Sequence, residues 1–114
     1  PQTQPADHTA SSDDELQKGI DLFQQGRYRE AREVFDHVTK TTAPDDARAW
    51  YFDALATGLS TGDWKEAAPR LARQGIEREK AGTPPSDKID EALEDLTEPT
   101  GRDWIASFRN KVNP

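Results

Sequence analysis

GIDLFQQGRYREAREVF, residues 19–35, is the stretch on which the fold turns. Together with Leu16 just upstream, its first half lays Leu16, Ile20 and Phe23 along one helical stripe and Gly19 with Leu22 along a neighbouring one, so the helix has two contact faces. Gly26 interrupts that pattern where a residue without a Cβ can take a positive φ. Tyr28, Ala31, Val34, Phe35 and Val38 then form a second apolar stripe, with Arg27, Arg29, Glu30, Arg32 and Glu33 outside it. The stretch reads as helix, glycine turn, helix, and the small Ala31 lets the two helices approach closely.

The same punctuation returns downstream. Gly26, Tyr28, Ala31 and Phe35 recur as Gly62, Trp64, Ala67 and Leu71, all at one offset (62 − 26 = 36). Around these anchors the chain divides into helices with recognisable starts. Ser12 to Glu15 has the S-x-x-E form of a capping box and predicts a helix over 13–25. The second helix is expected over 28–40, and a loop over 41–46 ends in Asp45 or Asp46 as N-cap of a third, over 47–59. That third helix carries Trp50, Tyr51, Phe52, Ala54, Leu55, Ala56 and Leu59, an arc wide enough to imply burial on more than one side. GLSTG over 58–62 breaks it, and Asp63 with Glu66 offers a cap for a fourth helix over 64–80. Pro69 inside that span predicts a kink or a late regular start. Gly82 to Pro85 stops the fourth helix, Ser86 is expected to cap a fifth over 87–96, and a turn over 98–101 precedes a last helix that Thr100 and Asp103 would cap.

These residues resemble the tetratricopeptide (TPR) repeat. Gly19, Leu22, Gly26, Tyr28, Ala31 and Phe35 fit a first copy, and Trp50, Ala54, Gly62, Trp64, Ala67 and Leu71 a second. The pattern departs from the family in its longer period and in having Gln74 and Gly75 where a small-then-apolar pair is usual. The resemblance implies an all-α fold of about six helices, stacked as antiparallel hairpins in a short right-handed superhelix. Residues 1–11, with two prolines and no large apolar side chain, read as a flexible leader, and the resemblance makes 12–114 one TPR-like domain: hairpins over 12–43 and 44–82, then a degenerate capping hairpin over 83–114. It further implies a concave groove lined from the first, third and fifth helices. Leu16, Gln17, Ile20 and Gln24 of the first copy, and Arg48, Tyr51, Phe52 and Leu55 of the second, are then candidates to contact a partner.

Composition narrows the classes of function. With 114 residues the chain holds one core. Its 22 acidic and 15 basic residues give a charge of −7, which repels phosphate backbones and disfavours nucleic acid as a partner. No apolar run reaches the length of a membrane span, so a soluble chain without membrane insertion is expected. Cysteine is absent, which removes disulfides and thiolate metal sites but leaves the compartment open between cytoplasmic and exported. Pro1 in place of an initiator Met suggests a processed piece of a longer chain.

No catalytic constellation can be assembled from these residues. His8 falls in the expected leader, and His37 sits beside Asp36 without ligands or catalytic partners at workable spacing. Neither a nucleophile elbow nor a phosphate loop is present. The expectation is therefore a protein–protein interaction scaffold, not an enzyme and without a cofactor, that binds a peptide or partner helix in its groove. The alternative is a structural spacer or oligomerisation module with no groove ligand.

Overall fold

The computed structural model describes residues 8–82, 84–96 and 98–112, with side chains from 14 to 111 within those ranges. The fold is all-α. Among the described residues six α-helices follow one another: α1 (His8–Gln24), α2 (Tyr28–His37), α3 (Ala47–Thr61), α4 (Ala67–Lys80), α5 (Ser86–Glu94) and α6 (Pro99–Val112). α2 runs directly into a π-helical turn, Val38–Thr42.

The glycine turns act as the sequence predicts. Gly26 and Gly62 hold φ of +81° and +80°, the left-handed conformation that ends a helix and reverses the chain. Gly19 meets the ring of Phe35, and Phe23 lies edge-on to Tyr28 at 5.1 Å, so positions ascending α1 meet positions descending α2 and the pair is antiparallel. In the second pair Gly58 lies against Trp64 and Gly75 against Tyr51, with the same reversed order. At each of these three glycines an added Cβ would fall 2.5 to 2.7 Å from an aromatic carbon. The missing side chains are what let an aromatic ring come close against the neighbouring backbone.

α3 is the hub. It packs against α1, α2, α4, α5 and α6, and every residue from Tyr51 to Gly58 is buried. Phe52 stacks on Phe35 at 5.5 Å and meets Phe23 edge-on at 6.3 Å, joining the first three helices through one aromatic cluster. Burial of a side chain of this size contributes about 1.5 to 3 kcal/mol, so this cluster supplies a large part of the packing energy of a lean core. A helix that is apolar nearly all round can be stable in water only when surrounded, and the later helices complete that enclosure.

Helix starts differ from expectation at α1, α5 and α6, while α4 takes the late regular start that was one of the two outcomes expected of Pro69. The leader expected over 1–11 lies outside the described residues as far as 7, but from His8 onward the chain is already α1. Ser12 is therefore inside the helix, and Glu15, its expected capping partner, instead accepts a 2.7 Å hydrogen bond from Thr42 and contacts His37 Nδ1. α4 begins only at Ala67, which puts Pro69 in the first turn, where no intrahelical N–H is required. Asp63 accepts from Lys65 and Glu66 N–H just ahead of it, and these backbone donors hold its carboxyl below the usual range. Pro85 and not Ser86 holds the N-cap position of α5, and the Ser86 hydroxyl donates to Glu79 at 3.0 Å. α6 starts at Pro99, two residues ahead of the start that Thr100 as N-cap implies: Glu98 accepts from Gly101 N–H at 2.5 Å, and Pro99 supplies a φ already suited to a first helical residue. Asp46 caps α3 as expected, accepting from Arg48 N–H at 2.9 Å.

Candidate functional site

α1 and α5 stand apart over α3, leaving between them a recess of about 650 Å³. From α1 come Leu16, Gln17, Ile20, Asp21 and Gln24; from the start of α3, Arg48; and from α5 and its C-cap, Lys88, Glu91, Ala92 and Asp95. The 3.6-residue period creates both walls. On α5 the spacing 88, 91, 92, 95 is a single helical stripe, and on α1 Leu16, Ile20 and Gln24 recur every fourth residue. Leu16, 4% exposed, forms the floor, with half-buried Ile20 and Ala92 above it.

One end of the recess is tied shut. The Gln24 side-chain amide donates to the Asp95 carbonyl at 2.8 Å, linking the C-terminal ends of α1 and α5 across 71 residues of sequence. Polar groups along the walls are held in place as well. Gln17 donates to Asp21 at 2.9 Å, one turn on, and Arg48 forks onto the Asp46 carboxylate, Nε to Oδ1 at 3.0 Å and Nη2 to Oδ2 at 2.7 Å.

Of the eight residues expected in a groove, five line this recess: Leu16, Gln17, Ile20, Gln24 and Arg48. The other three do not. Tyr51, Phe52 and Leu55 are each 0% exposed and belong to the core beneath: Phe52 packs on Phe23 of α1 and Phe35 of α2, Tyr51 lies between Gly75 of α4 and Arg109 of α6, and Leu55 faces Gly101 of α6. The fifth helix was expected to line the groove but none of its residues was named; the structure adds Lys88, Glu91, Ala92 and Asp95, and Asp21 of α1. The signal of the α5 wall was present in the sequence as the 88–91–92–95 stripe.

Two further polar clusters lie away from the recess. Glu79 of α4 accepts from Tyr51 Oη at 2.6 Å, from Ser86 Oγ at 3.0 Å and from Arg109 Nε and Nη2 at 3.1 and 2.5 Å, and Arg109 also reaches Asp90 at 2.9 Å. Burial works against ionisation of Glu79, but the Arg109 and Tyr51 donors outweigh it and keep the carboxyl below the ordinary range. Tyr51 is driven upward by burial first and by its carboxylate partner second. Asp53 of α3 is 0% exposed, with the Asp36 carboxyl of α2 beside it and only a long 3.5 Å contact from Thr57 Oγ1; its Oδ2 has no partner among the described residues. Burial, then the neighbouring Asp36, pushes its carboxyl up to about 9, so it is protonated at neutral pH.

Among the described residues no three His, Asp or Glu side chains converge as a metal site, and no helix is long and apolar enough to cross a membrane. No protein-family model, curated protein or solved structure matches the chain.

Proposed function

We propose that the chain is a TPR-like helical-hairpin module that holds a segment of a partner protein in the recess between α1 and α5, without catalysing a reaction. The observation that carries this reading is the recess itself, with Leu16 as an apolar floor and Ile20 and Ala92 above it on two helical walls that also bear amides and charges. Small-molecule sites of similar volume are lined mainly by apolar and aromatic side chains. Here five of the ten lining residues are charged and none is aromatic, which favours the side chains of a polypeptide as occupant. Neither histidine nor a hydroxyl nucleophile lines it.

A peptide selection against the intact chain tests the proposal, with Ile20→Asp and Ala92→Asp as counter-screens. Selected peptides should lose binding to both variants while their far-ultraviolet circular dichroism stays that of the parent. Peptides that bind both variants undiminished would place the binding surface elsewhere.

A second reading has its own observation. Trp64, Trp104 and Phe108 form a half-buried ladder across α4's approach and α6, with ring centres 5.1 and 5.2 Å apart. Aromatic residues on an accessible face support the alternative of an oligomerising spacer. A sedimentation mass that rises with concentration, and falls back on Trp104→Ala, would support it over the recess.

A further inference from the structure

The charges around the recess are unequal. Asp21 on one wall and Glu91 and Asp95 on the other are all exposed at its rim, and Lys88 is the cation set against them. Arg48 does not alter that balance, because the Asp46 carboxylate already meets its charge at 2.7 Å. Three carboxylates against one ammonium leave two negative charges in excess, within a chain whose total is −7. Between these carboxylates lie Ile20 and Ala92, half-buried and apolar. An acidic segment would meet like charge on both walls, and a purely apolar one would strip water from carboxylates it could not pair.

We infer that the recess takes a basic segment of a partner protein, with one apolar side chain seated between Ile20 and Ala92 and Lys or Arg residues reaching Asp21, Glu91 and Asp95. This rests on the reading above that the recess holds a polypeptide. Exposed ion pairs of this kind are individually weak and are screened by salt, so they steer and select the partner while the apolar anchor supplies the hold.

Three synthetic peptides of about a dozen residues test it, sharing one apolar pattern and carrying Lys, Gln or Glu at every polar position. Each is titrated into the full chain and followed by amide chemical shifts at about 50 and about 300 mM salt, either side of the range where screening becomes short-ranged. The Lys peptide should shift amides over 16–24 and 88–95 and bind severalfold more weakly at the higher salt. Glu91→Lys combined with Asp95→Lys should weaken it by about tenfold and make the Glu peptide the better ligand, as two reversed rim pairs predict. Equal binding of all three in the recess, or no exchange of preference in the double variant, overturns the basic-partner inference and leaves the recess as a binding site. Shifts confined to other surfaces, or absent for every peptide, overturn the recess reading and this inference with it.

Discussion

The Tyr51 hydroxyl of α3 donates a 2.6 Å hydrogen bond to Glu79 of α4, and through that carboxylate the hub helix is joined to Ser86 of α5 and Arg109 of α6. The Arg109 guanidinium also stands over the Tyr51 ring, 5.7 Å from its centre. A single acceptor thus fastens four helices.

Loss of that acceptor should cost far more than loss of one donor. Tyr51→Phe removes one hydrogen bond and is expected to destabilise by about 1 kcal/mol. Glu79→Ala leaves the buried Tyr51 hydroxyl without its acceptor and Arg109 with Asp90 alone, and is expected to cost roughly 3 kcal/mol, the scale for breaking a largely buried pair. Urea unfolding of the two variants provides the comparison, and equal midpoints would show that the clasp is not a unit.

Asp53 makes stability fall as pH rises. Its folded-state value is about 9, whereas a carboxyl of the unfolded chain titrates near 4. In the window between, the native chain keeps a proton that the unfolded chain has lost, so stability from this group is complete below about pH 4 and is lost on the way to 9. Glu79 has the opposite sign: its lowered value adds stability that disappears only on acidification. Asp53→Asn keeps the shape without the titration. It should be more stable than the parent at pH 8, on the order of 2 kcal/mol, and its melting temperature should vary less between pH 5 and 8, a comparison thermal unfolding reads directly.

Gly58 and Gly62, four residues apart in GLSTG, are needed for different reasons. A Cβ at Gly58 would lie 2.5 Å from the Trp64 ring, whereas one at Gly62 would meet nothing within 4 Å but would sit on a backbone at φ +80°. Gly58→Ala should displace the indole, cost about 1 to 3 kcal/mol and shift tryptophan emission. Gly62→Ala should cost about 1 kcal/mol with emission unchanged, and Gly62→Asn less, since Asn tolerates the left-handed region.

Much of this arrangement was legible in the residues, for reasons that also explain where legibility stopped. Helical periodicity placed Leu16, Ile20 and Phe23 on one face, and Gly26 and Gly62 marked the turns because few other residues take positive φ. The wide apolar arc of α3 was visible too, and burial on several sides was its physical meaning. Assigning Tyr51, Phe52 and Leu55 to an open groove followed the repeat resemblance against that signal. Long-range partners left no local trace. Ser86 and Glu15 each had a plausible cap to make, and each is drawn instead to a side chain that only tertiary packing brings near, Glu79 in one case and Thr42 with His37 in the other.

Depth separates residues that hold the fold from residues that are free to bind. Tyr51→Ala empties a fully buried aromatic site and should cost about 3 to 5 kcal/mol, abolishing cooperative unfolding in a core this lean. Ile20→Asp, at a half-buried rim position, should leave helicity and the cooperative transition in place while removing peptide binding. Circular dichroism melts of the two, run beside a binding titration, distinguish these roles.

The central claim, that the recess between α1 and α5 receives an apolar side chain of a basic partner segment, is tested most directly by intermolecular nuclear Overhauser effects between a bound Lys-rich peptide and the methyl groups of the protein. The account predicts contacts from one peptide apolar side chain to both Ile20 and Ala92, on opposite walls of the recess. Contacts to Trp64, Trp104 or Phe108 in their place, with none to Ile20 or Ala92, would contradict it.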